Sequence, residues 1–375
     1  MADARITPLV MPKWGLEMRE GTIAGWLVDE GARIAVGTPV VDVETDKISN
    51  TAEAPDPGLL RRRIARAGET LPVKALLAVL AEPDVSDADI DAFVAAYEVP
   101  AAGEGEDDAG PAFETAEVQG IRVRHARRGP AQGVPVLFLH GFGGDLGNWL
   151  FNLDAVAERH PVIALDLPGH GQSALRLPGT SYAALAGFVA AFLDALGVDR
   201  VHAVGHSMGA AIAAQMALDH PARVASLVLV APAGLGETID AGYTAGFVAA
   251  ASRRDLKPVV EKLFADPSLV SRAMLDELLK YKRLDGVDAL LGELGGALFG
   301  GGRQTDRPVA RLPADLPTLL VWGEQDAVIP AAQADAAPAG ARVQRLPGAG
   351  HMPMMEAASA FNALLLDHLG AQAAA

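Results

Sequence analysis

The chain contains no cysteine, and this absence removes several kinds of chemistry. Disulfides, thiolate metal sites and a cysteine nucleophile are excluded, so covalent catalysis must use serine, threonine, lysine or a carboxylate. Basic residues are also few: Lys and Arg number 31 against 47 Asp and Glu, which argues against non-specific nucleic-acid binding. We expect neither a nucleic-acid partner nor a metal site.

Long apolar runs are missing as well. Half of the 375 residues are hydrophobic, yet no uninterrupted run reaches the roughly 18 residues of a transmembrane helix. The opening Met-Ala-Asp-Ala-Arg lacks the charged and then apolar regions of a secretory signal. We therefore expect a cytoplasmic protein without membrane association, and its length predicts two or more domains.

The acidic charge is concentrated in one segment, residues 81–117, which holds twelve acids and no base. Most of this segment has little to bury, which predicts a solvated linker between two domains. Within it, Ser86 begins a capping-box pattern, and the apolar residues from Ile90 to Tyr97 share one helical face, so a short helix is expected. That face could pack on a partner or on a flanking domain, and we favour the second.

Residues 1–80 contain an internal repeat. An offset of 37 residues superimposes Gly21 on Gly58 and Gly31 on Gly68, together with four pairs of apolar positions. Each half predicts short strands around a glycine turn, so the two halves should form half-sheets that bury one shared core. Lys47 follows the last apolar strand position of the first half, and we expect it at an exposed tip between the halves.

This stretch resembles a biotinyl or lipoyl carrier domain, an all-β barrel-sandwich fold with a modified lysine on such a hairpin. Glu-Thr-Asp-Lys at 44–47, with Met-Pro-Lys-Trp-Gly upstream, is similar to the lipoyl version, because the biotin version normally flanks its lysine with methionines. The resemblance implies a covalent lipoate on Lys47, which would supply the thiol chemistry that the sequence lacks. The alternative is an ordinary solvated lysine. Lys13 and Lys74 do not share this setting.

Residues 118–375 alternate apolar strands with helical stretches, which predicts a mostly parallel sheet covered on both faces. Strands are predicted at 135–139, 162–165, 201–205, 226–230 and 318–322, and helices at 146–158, 182–196, 208–220 and 357–369. With an antiparallel start at 118–126, this order is that of an α/β-hydrolase fold. A helical, irregular insertion at about 233–311, after the sixth strand, predicts a lid.

Two glycine-rich motifs indicate acyl chemistry. Gly-His-Ser-Met-Gly at 205–209 follows a strand and begins a helix, the context of a nucleophile elbow, so Ser207 is the predicted nucleophile rather than a buried structural serine. His-Gly-Phe-Gly-Gly at 140–144 ends an earlier strand, where glycines let the backbone approach a substrate carbonyl. The amides of Phe142 and Met208 are therefore the predicted oxyanion hole.

Three histidines compete for the role of general base: His140, His206 and His351. Hydrolases of this fold run nucleophile, acid, histidine along the chain, and only His351 follows both Ser207 and a plausible acid. His140 is expected to be structural.

Asp326 is the preferred acid because it lies just beyond an apolar strand, at the edge where such sites form. Asp335 is the alternative. Asp166 also ends a strand but precedes Ser207, so we expect it to shape a loop or pocket. In the resulting triad Ser207 attacks, His351 moves the proton and Asp326 fixes the imidazole tautomer.

The whole arrangement resembles, over nearly the whole chain, the dihydrolipoyllysine acetyltransferase component of acetoin dehydrogenase complexes. The resemblance implies acetyl transfer from S-acetyl-dihydrolipoyl on Lys47 to coenzyme A. It also implies a thiamine-diphosphate-dependent acetoin-cleaving partner, a dihydrolipoyl dehydrogenase partner and a homo-oligomer. The chain departs from ordinary dehydrogenase-complex acyltransferases: it lacks their His-x-x-x-Asp-Gly motif, with Tyr281 at the histidine position of the nearest string. No complete peripheral-subunit-binding domain is evident.

Two other functions remain open at this stage. One is a serine esterase or thioesterase with the lipoyl domain as a tether, since the same serine chemistry serves water and coenzyme A as acceptors. The other is a carrier and assembly protein with a decayed hydrolase domain, against which the intact triad order counts. Arg253, Arg254 and Lys257 could meet coenzyme A phosphates, but solvated basic residues on a helix are the favoured account.

Overall fold

A computed structural model describes residues 5–14, 18–45, 49–100 and 113–373. The chain divides into two compact units, the first comprising residues 1–110 and 268–274 and the second residues 111–267 and 275–375. No helix within the described ranges is long and apolar enough to cross a membrane.

Within the described residues the first unit has eight short strands: β1 (Ile6–Val10), β2 (Glu20–Trp26), β3 (Arg33–Ile34), β4 (Pro39–Glu44), β5 (Ser49–Glu53), β6 (Gly58–Arg63), β7 (Thr70–Pro72) and β8 (Leu76–Ala81). These strands form two four-stranded antiparallel sheets, ordered β1-β8-β6-β3 and β5-β4-β2-β7. Each half of the repeat lends two strands to the other: β1 and β3 of the first half pair with β8 and β6, and β5 and β7 of the second half pair with β4 and β2. The predicted all-β carrier fold is confirmed.

The repeated glycines serve the same purpose in both halves. A Cβ at Gly21 would lie 2.6 Å from Val43, and a Cβ at Gly58 would lie 3.1 Å from Leu80. Val43 and Leu80 are themselves 37 residues apart, so each half packs its glycine strand directly on the equivalent apolar side chain. Close approach of the backbone is the physical reason for glycine at these positions.

The β4–β5 hairpin carries the predicted attachment lysine. Glu44 pairs with Ser49, so residues 45–48 connect the two strands. Lys47 belongs to this connection, and it lies outside the described residues together with Asp46 and Ile48.

Helix α1 (Asp87–Ala96) belongs to the first unit, which therefore extends past the predicted boundary at residue 80. Ile90 is buried in one cluster with residues of β1 and β8, so the apolar face packs on a flanking domain. Arg61 pairs with Asp87, and Arg62 with Asp91. Two of the acids that suggested a linker, Asp87 and Asp91, therefore lie on helix α1 and form ion pairs with these arginines.

Within the described residues the second unit holds one eight-stranded sheet, ordered β16-β15-β14-β13-β11-β12-β10-β9. Its strands are β9 (Phe113–Val118), β10 (Ile121–Arg128), β11 (Val136–Leu139), β12 (Val162–Leu165), β13 (Val201–His206), β14 (Val224–Val230), β15 (Thr318–Gly323) and β16 (Arg342–Leu346). The strands from β11 to β16 are parallel, and β9 and β10 are antiparallel to their neighbours. The predicted α/β-hydrolase fold is confirmed.

The helices around this sheet are α2 (Leu153–Ala157), α3 (Tyr182–Ala195), α4 (Met208–Asp219), α9 (Pro353–Glu356) and α10 (Ala358–Ala373). Four more helices lie between β14 and β15 in the described chain: α5 (Ala241–Ala249), α6 (Arg253–Val260), α7 (Arg272–Lys282) and α8 (Val287–Phe299). They occupy the insertion predicted after the sixth strand, and we refer to them as the lid.

The second unit begins before residue 118, because β9 starts at Phe113. Glu114 and Glu117 are exposed on this edge strand, so a composition-based prediction assigned them to the linker. The β9–β10 turn lies at Gln119-Gly120 as predicted, with φ of +51° and +71°, the left-handed pair of a two-residue hairpin. The pattern missed β16, which has polar side chains between its apolar ones.

Candidate active site

Ser207 lies at a sharp turn between β13 and α4. Its φ of +51° and ψ of −114° are unusual for a residue with a side chain, and such strain concentrates at functional sites. A Cβ at Gly205 would lie 2.4 Å from the Gly209 carbonyl oxygen, and a Cβ at Gly209 would lie 2.3 Å from that of Leu139. Only glycine fits at either position, so the motif works here as an elbow rather than as a chance pattern.

The Ser207 backbone is held by its neighbours while its hydroxyl is not. Its N–H donates to the Val230 carbonyl at 2.9 Å, and its carbonyl accepts from Ala233 at 3.1 Å. Within the described chain the Ser207 Oγ makes no hydrogen bond, and the residue is 5% exposed. The hydroxyl is therefore not committed to a structural partner, and it makes no hydrogen bond to His351 there either. A serine nucleophile is activated by a base within hydrogen-bond reach, a contact that is often longer when no substrate is bound.

Asp326 and His351 form a hydrogen-bonded pair, with 2.8 Å between Asp326 Oδ2 and His351 Nδ1. Both side chains are buried. The Asp326 carboxylate can only accept, so His351 Nδ1 carries a proton and donates it to this hydrogen bond. His351 Nε2 is then left able to accept a proton. This is the base-and-orienter half of a Ser-His-Asp site.

The Asp326 carboxylate is fixed on both oxygens. Oδ1 accepts from the Val328 and Ile329 N–H groups, each at 2.8 Å, and Oδ2 accepts from the Trp322 indole at 3.0 Å. Trp322 is fully buried at the end of β15. Trp322 was not among the predicted site residues, although it lies only four residues before the acid in the sequence.

The loop that carries His351 is held on both sides. Glu356 accepts from the N–H groups of Gly350 at 2.8 Å and Met352 at 3.3 Å, and also from Ala265 at the base of the lid. The His351 N–H donates to the Leu263 carbonyl at 2.8 Å. Nothing in the sequence distinguishes Glu356 from other surface acids, so its role emerges only from these contacts.

The other two candidate histidines, His140 and His206, form hydrogen bonds to backbone groups and are not placed to transfer protons. His206 Nε2 donates to the His351 carbonyl at 2.9 Å. His140 donates from Nδ1 to the Gly141 carbonyl and accepts at Nε2 from the Leu167 N–H, so both its nitrogens are used. Burial lowers the pKa of His140 to about 4. Both residues are structural in this geometry.

The rejected acids have other partners. Asp166 is buried and accepts from the N–H groups of Leu146 and Gln172, and burial raises its pKa to about 6. It shapes the loop after β12. Asp335 is exposed and paired with Arg345, so the structure brings Asp326, not Asp335, to His351.

The predicted oxyanion amides are free in the part of the chain that is described. Neither the Phe142 N–H nor the Met208 N–H donates a hydrogen bond there. The turn after β11 runs beside the elbow, since a Cβ at Gly141 would lie 3.3 Å from Ser207 Cβ. Met208 opens α4, so its amide also carries the partial positive charge of a helix N-terminus. Two such donors suit an oxyanion.

Other residues singled out in the sequence are structural or solvated. Arg253 pairs with Asp276 and Lys257 with Glu261 on the lid surface, and Arg254 is exposed. The Tyr281 hydroxyl donates to the Gly169 carbonyl at 2.6 Å. Tyr281 therefore has a structural partner and does not replace the catalytic histidine of the His-x-x-x-Asp-Gly motif. The described residues contain no cluster of metal ligands.

Buried histidines predict acid sensitivity of the second unit. Burial lowers the pKa of His140, His202 and His368 to about 4 and of His170 to about 3. In the unfolded chain the histidine pKa is about 6.5. Below that pH the unfolded chain therefore binds more protons than the folded chain does. The contribution of these neutral histidines to the free energy of unfolding should be fully present above pH 6.5. It should decrease as the pH approaches 4, by about 3 kcal/mol for His140 alone.

Urea unfolding of the whole chain at pH 7, 6 and 5, followed by circular dichroism, checks this expectation. His368→Leu should flatten the pH dependence, and His220→Asn, at a partly exposed position, should not. Stability that is constant from pH 7 to 5 would contradict the assignment.

Comparison with known proteins agrees with this geometry. A family model described as alpha/beta hydrolase fold matches residues 134–358, and one described as biotin-requiring enzyme matches residues 7–80. Among solved structures, a meta-cleavage product hydrolase from Pseudomonas fluorescens is 22% identical, with a TM-score of 0.62 over 68% of this chain and 97% of that one. This likeness concerns the fold alone.

Two curated relatives match both units together. The chain is 61% identical, over 97% of its length and 98% of the relative, to the dihydrolipoyllysine-residue acetyltransferase component of the acetoin cleaving system of Cupriavidus necator. It is 49% identical to the component of the same name from Pseudomonas putida, over 98% of this chain and 99% of that protein. The chain belongs to the family of dihydrolipoyllysine-residue acetyltransferase components of acetoin cleaving systems.

Proposed function

We propose that this chain transfers an acetyl group from S-acetyl-dihydrolipoyl-lysine, formed on Lys47, to coenzyme A within an acetoin-cleaving system. One observation carries the proposal: a lipoyl-type domain and a site with serine acyl-transfer geometry occur in one chain. The 2.8 Å pair of Asp326 and His351 beside the Ser207 elbow supports the chemistry. Membership of the acetyltransferase family supports the acceptor.

The first half of the reaction acetylates Ser207. Ser207 Oγ attacks the thioester carbonyl carbon while His351 Nε2 takes its proton. Asp326 keeps the imidazole in the required tautomer and stabilises its charged form. The Phe142 and Met208 amides would bind the developing oxyanion. The carbon–sulfur bond then breaks, and His351 gives its proton to the departing thiolate.

The second half releases the acetyl group to coenzyme A. The coenzyme A thiol gives its proton to His351, and its sulfur attacks the carbonyl carbon of the Ser207 ester. The carbon–oxygen bond breaks, Ser207 Oγ takes the proton from His351, and acetyl-coenzyme A leaves. Each histidine proton transfer is reversed once per cycle, so the site ends in its starting state.

Lys47 is the residue that would hold lipoate. When attached, this group supplies the dithiol on which the acetyl group travels as a thioester. The hairpin fits, because the Glu44–Ser49 pairing leaves four connecting residues at the end of the sheet, with Lys47 among them. Lys74 differs: its N–H donates to the Met11 carbonyl, and its φ is +68°, which builds it into a turn.

We expect Lys47→Arg to abolish lipoylation and acetyl transfer from the protein-bound arm. Transfer from free S-acetyl-dihydrolipoamide should continue, because the serine site is in the other unit. Intact-mass analysis of protein from a lipoylation-competent host and an acetyl-coenzyme A assay measure the two effects. Lys74→Arg is the matched control and should stay lipoylated. Lipoylation that survives in Lys47→Arg would contradict the assignment.

Hydrolysis is the second candidate, because the fold is shared with serine hydrolases. A serine esterase or thioesterase would pass the same acyl-serine to water. Supplying S-acetyl-dihydrolipoamide with and without coenzyme A, and quantifying acetyl-coenzyme A against acetate, separates the two functions. The transferase yields mainly acetyl-coenzyme A, and the hydrolase yields acetate at a rate that coenzyme A does not change.

The proposed reaction defines its partners by chemistry. A thiamine-diphosphate-dependent component would cleave acetoin and acetylate one sulfur of the oxidised lipoyl dithiolane, whose disulfide would be reduced in that step. After the acetyl group has passed to coenzyme A, a dihydrolipoyl dehydrogenase would reoxidise the remaining dithiol to the disulfide. We also propose a homo-oligomer as the core on which they assemble, and the cytoplasm, where coenzyme A is available, as the location.

A further inference from the structure

The ring of Phe142, whose amide is assigned to the oxyanion hole, is enclosed by the lid. Phe247 of α5 meets it at a centroid distance of 6.2 Å and 65°, and Phe299 of α8 at 6.0 Å and 85°. A Cβ at Gly295 of α8 would lie 3.2 Å from Phe142 Cζ. Edge-to-face aromatic contacts of this kind are directional, so the lid fixes the orientation of Phe142.

Helix α5 also contacts the backbone of the same turn. A Cβ at Gly143 would lie 2.4 Å from Phe247 Cε1, and the φ of Gly143 is +73°. The Tyr243 hydroxyl, one turn earlier on α5, donates to the Phe142 carbonyl at 3.4 Å. Phe247 therefore lies directly on the peptide that follows the oxyanion residue, and the turn has no room to move unless α5 moves.

A buried lysine supports Phe247 from behind. Lys282 of α7 places its Nζ 5.4 Å from the Phe247 ring centroid. The same ammonium donates to the Val248 carbonyl at 3.0 Å and to Asp288 at the start of α8, and its side chain is only 2% exposed. Three lid helices are thus tied together behind one aromatic ring.

We propose that Phe247 is a positioning residue that couples the closed lid to the oxyanion hole and so favours coenzyme A over water as acceptor. This inference rests on the proposed acetyltransferase function. Water competes at one step: it can attack the Ser207 ester carbonyl, give its proton through His351 to Ser207 Oγ, and release acetate. The packed aromatic rings of the lid exclude water from the Ser207 acetyl ester until the coenzyme A thiol attacks it.

The test compares the lipoylated full chain with its Phe247→Ala and Phe247→Leu variants, using S-acetyl-dihydrolipoamide and saturating coenzyme A. The ratio of acetate to acetyl-coenzyme A should rise about tenfold in Phe247→Ala and less in Phe247→Leu, and total turnover should fall about tenfold. Lys282→Met, which keeps the ring but removes its support, should shift the ratio in the same direction by a smaller factor.

Phe361→Leu is the matched control, because Phe361 is fully buried and packs on Trp149 in the same unit. It should lower stability and leave the product ratio unchanged. A wild-type ratio in both Phe247 variants, or an equal change in Phe361→Leu, would overturn the proposal. If Phe247→Ala does not fold, Phe247→Leu decides alone. If the wild type forms no acetyl-coenzyme A, the proposed function fails instead.

Discussion

Replacing Ser207 with alanine is expected to lower the rate of acetyl transfer to coenzyme A by at least about 10⁴-fold. Ser207 is the residue at the strained elbow, and cysteine is absent from the chain. Alanine keeps the same backbone at the elbow, so Gly205 and Gly209 should still fit and the protein should still fold. Steady-state acetyl-coenzyme A formation by lipoylated protein measures the loss.

Ser226→Ala is the matched control for that variant. Ser226 is equally buried on the neighbouring β14, where its hydroxyl contacts His202 Nδ1 at 2.8 Å. Its loss should cost about 1 kcal/mol of stability, the usual net worth of one hydrogen bond, with turnover nearly unchanged. Near-normal transfer by Ser207→Ala, with Lys47 still lipoylated, would show that acetyl transfer takes place elsewhere.

The second large effect is expected for Asp326→Asn, about 10⁴-fold in turnover. The Asn carbonyl can keep the Val328 and Ile329 N–H groups, and its NH₂ group would then face His351 Nδ1. That donor selects the tautomer with the proton on Nε2, which cannot accept from Ser207. The same NH₂ group also opposes the Trp322 indole N–H, so some loss of stability is expected too.

Asp335→Asn is the control for this variant, since Asp335 is an exposed acid paired with Arg345. It should retain full turnover. The pH dependence of turnover in both variants separates a tautomer effect from unfolding, when it is combined with melting temperatures. Turnover of Asp326→Asn within tenfold of the wild type, or an equal loss in Asp335→Asn, would contradict the assigned acid.

The sharp turn at Ser207 could be predicted because it has a local signature, whereas the catalytic roles of Ser207, Asp326 and His351 stay predictions. Gly205 and Gly209 are required by close backbone contacts, and chain order alone separated His351 from the two histidines that hold backbone. The supporting contacts could not be predicted. Trp322 reaches Asp326 only because the chain turns back after β15. Glu356 meets Ala265, which lies between the lid helices α6 and α7, across 91 residues of sequence.

Element boundaries were less predictable than element order. The repeat in residues 1–80 indicated paired half-sheets, but the exchange of β3 and β7 involves strands of two and three residues, too short for a pattern. The acidic segment was assigned to a linker by charge. Part of it is helix α1, whose Asp87 and Asp91 form ion pairs with arginines of β6. Charge composition cannot reveal such pairs, because the arginines lie more than 20 residues earlier in the sequence.

The central claim is that Ser207 carries the acetyl group between the lipoyl arm and coenzyme A. Acid quenching of the protein shortly after mixing with S-acetyl-dihydrolipoamide, followed by peptide mass spectrometry, tests it most directly. We predict one acetyl group on the peptide containing Ser207 when coenzyme A is absent, and its loss, with matching acetyl-coenzyme A, when coenzyme A is added before the quench. Acetyl-coenzyme A formed at the full rate with no acetyl group ever on Ser207 would contradict the account.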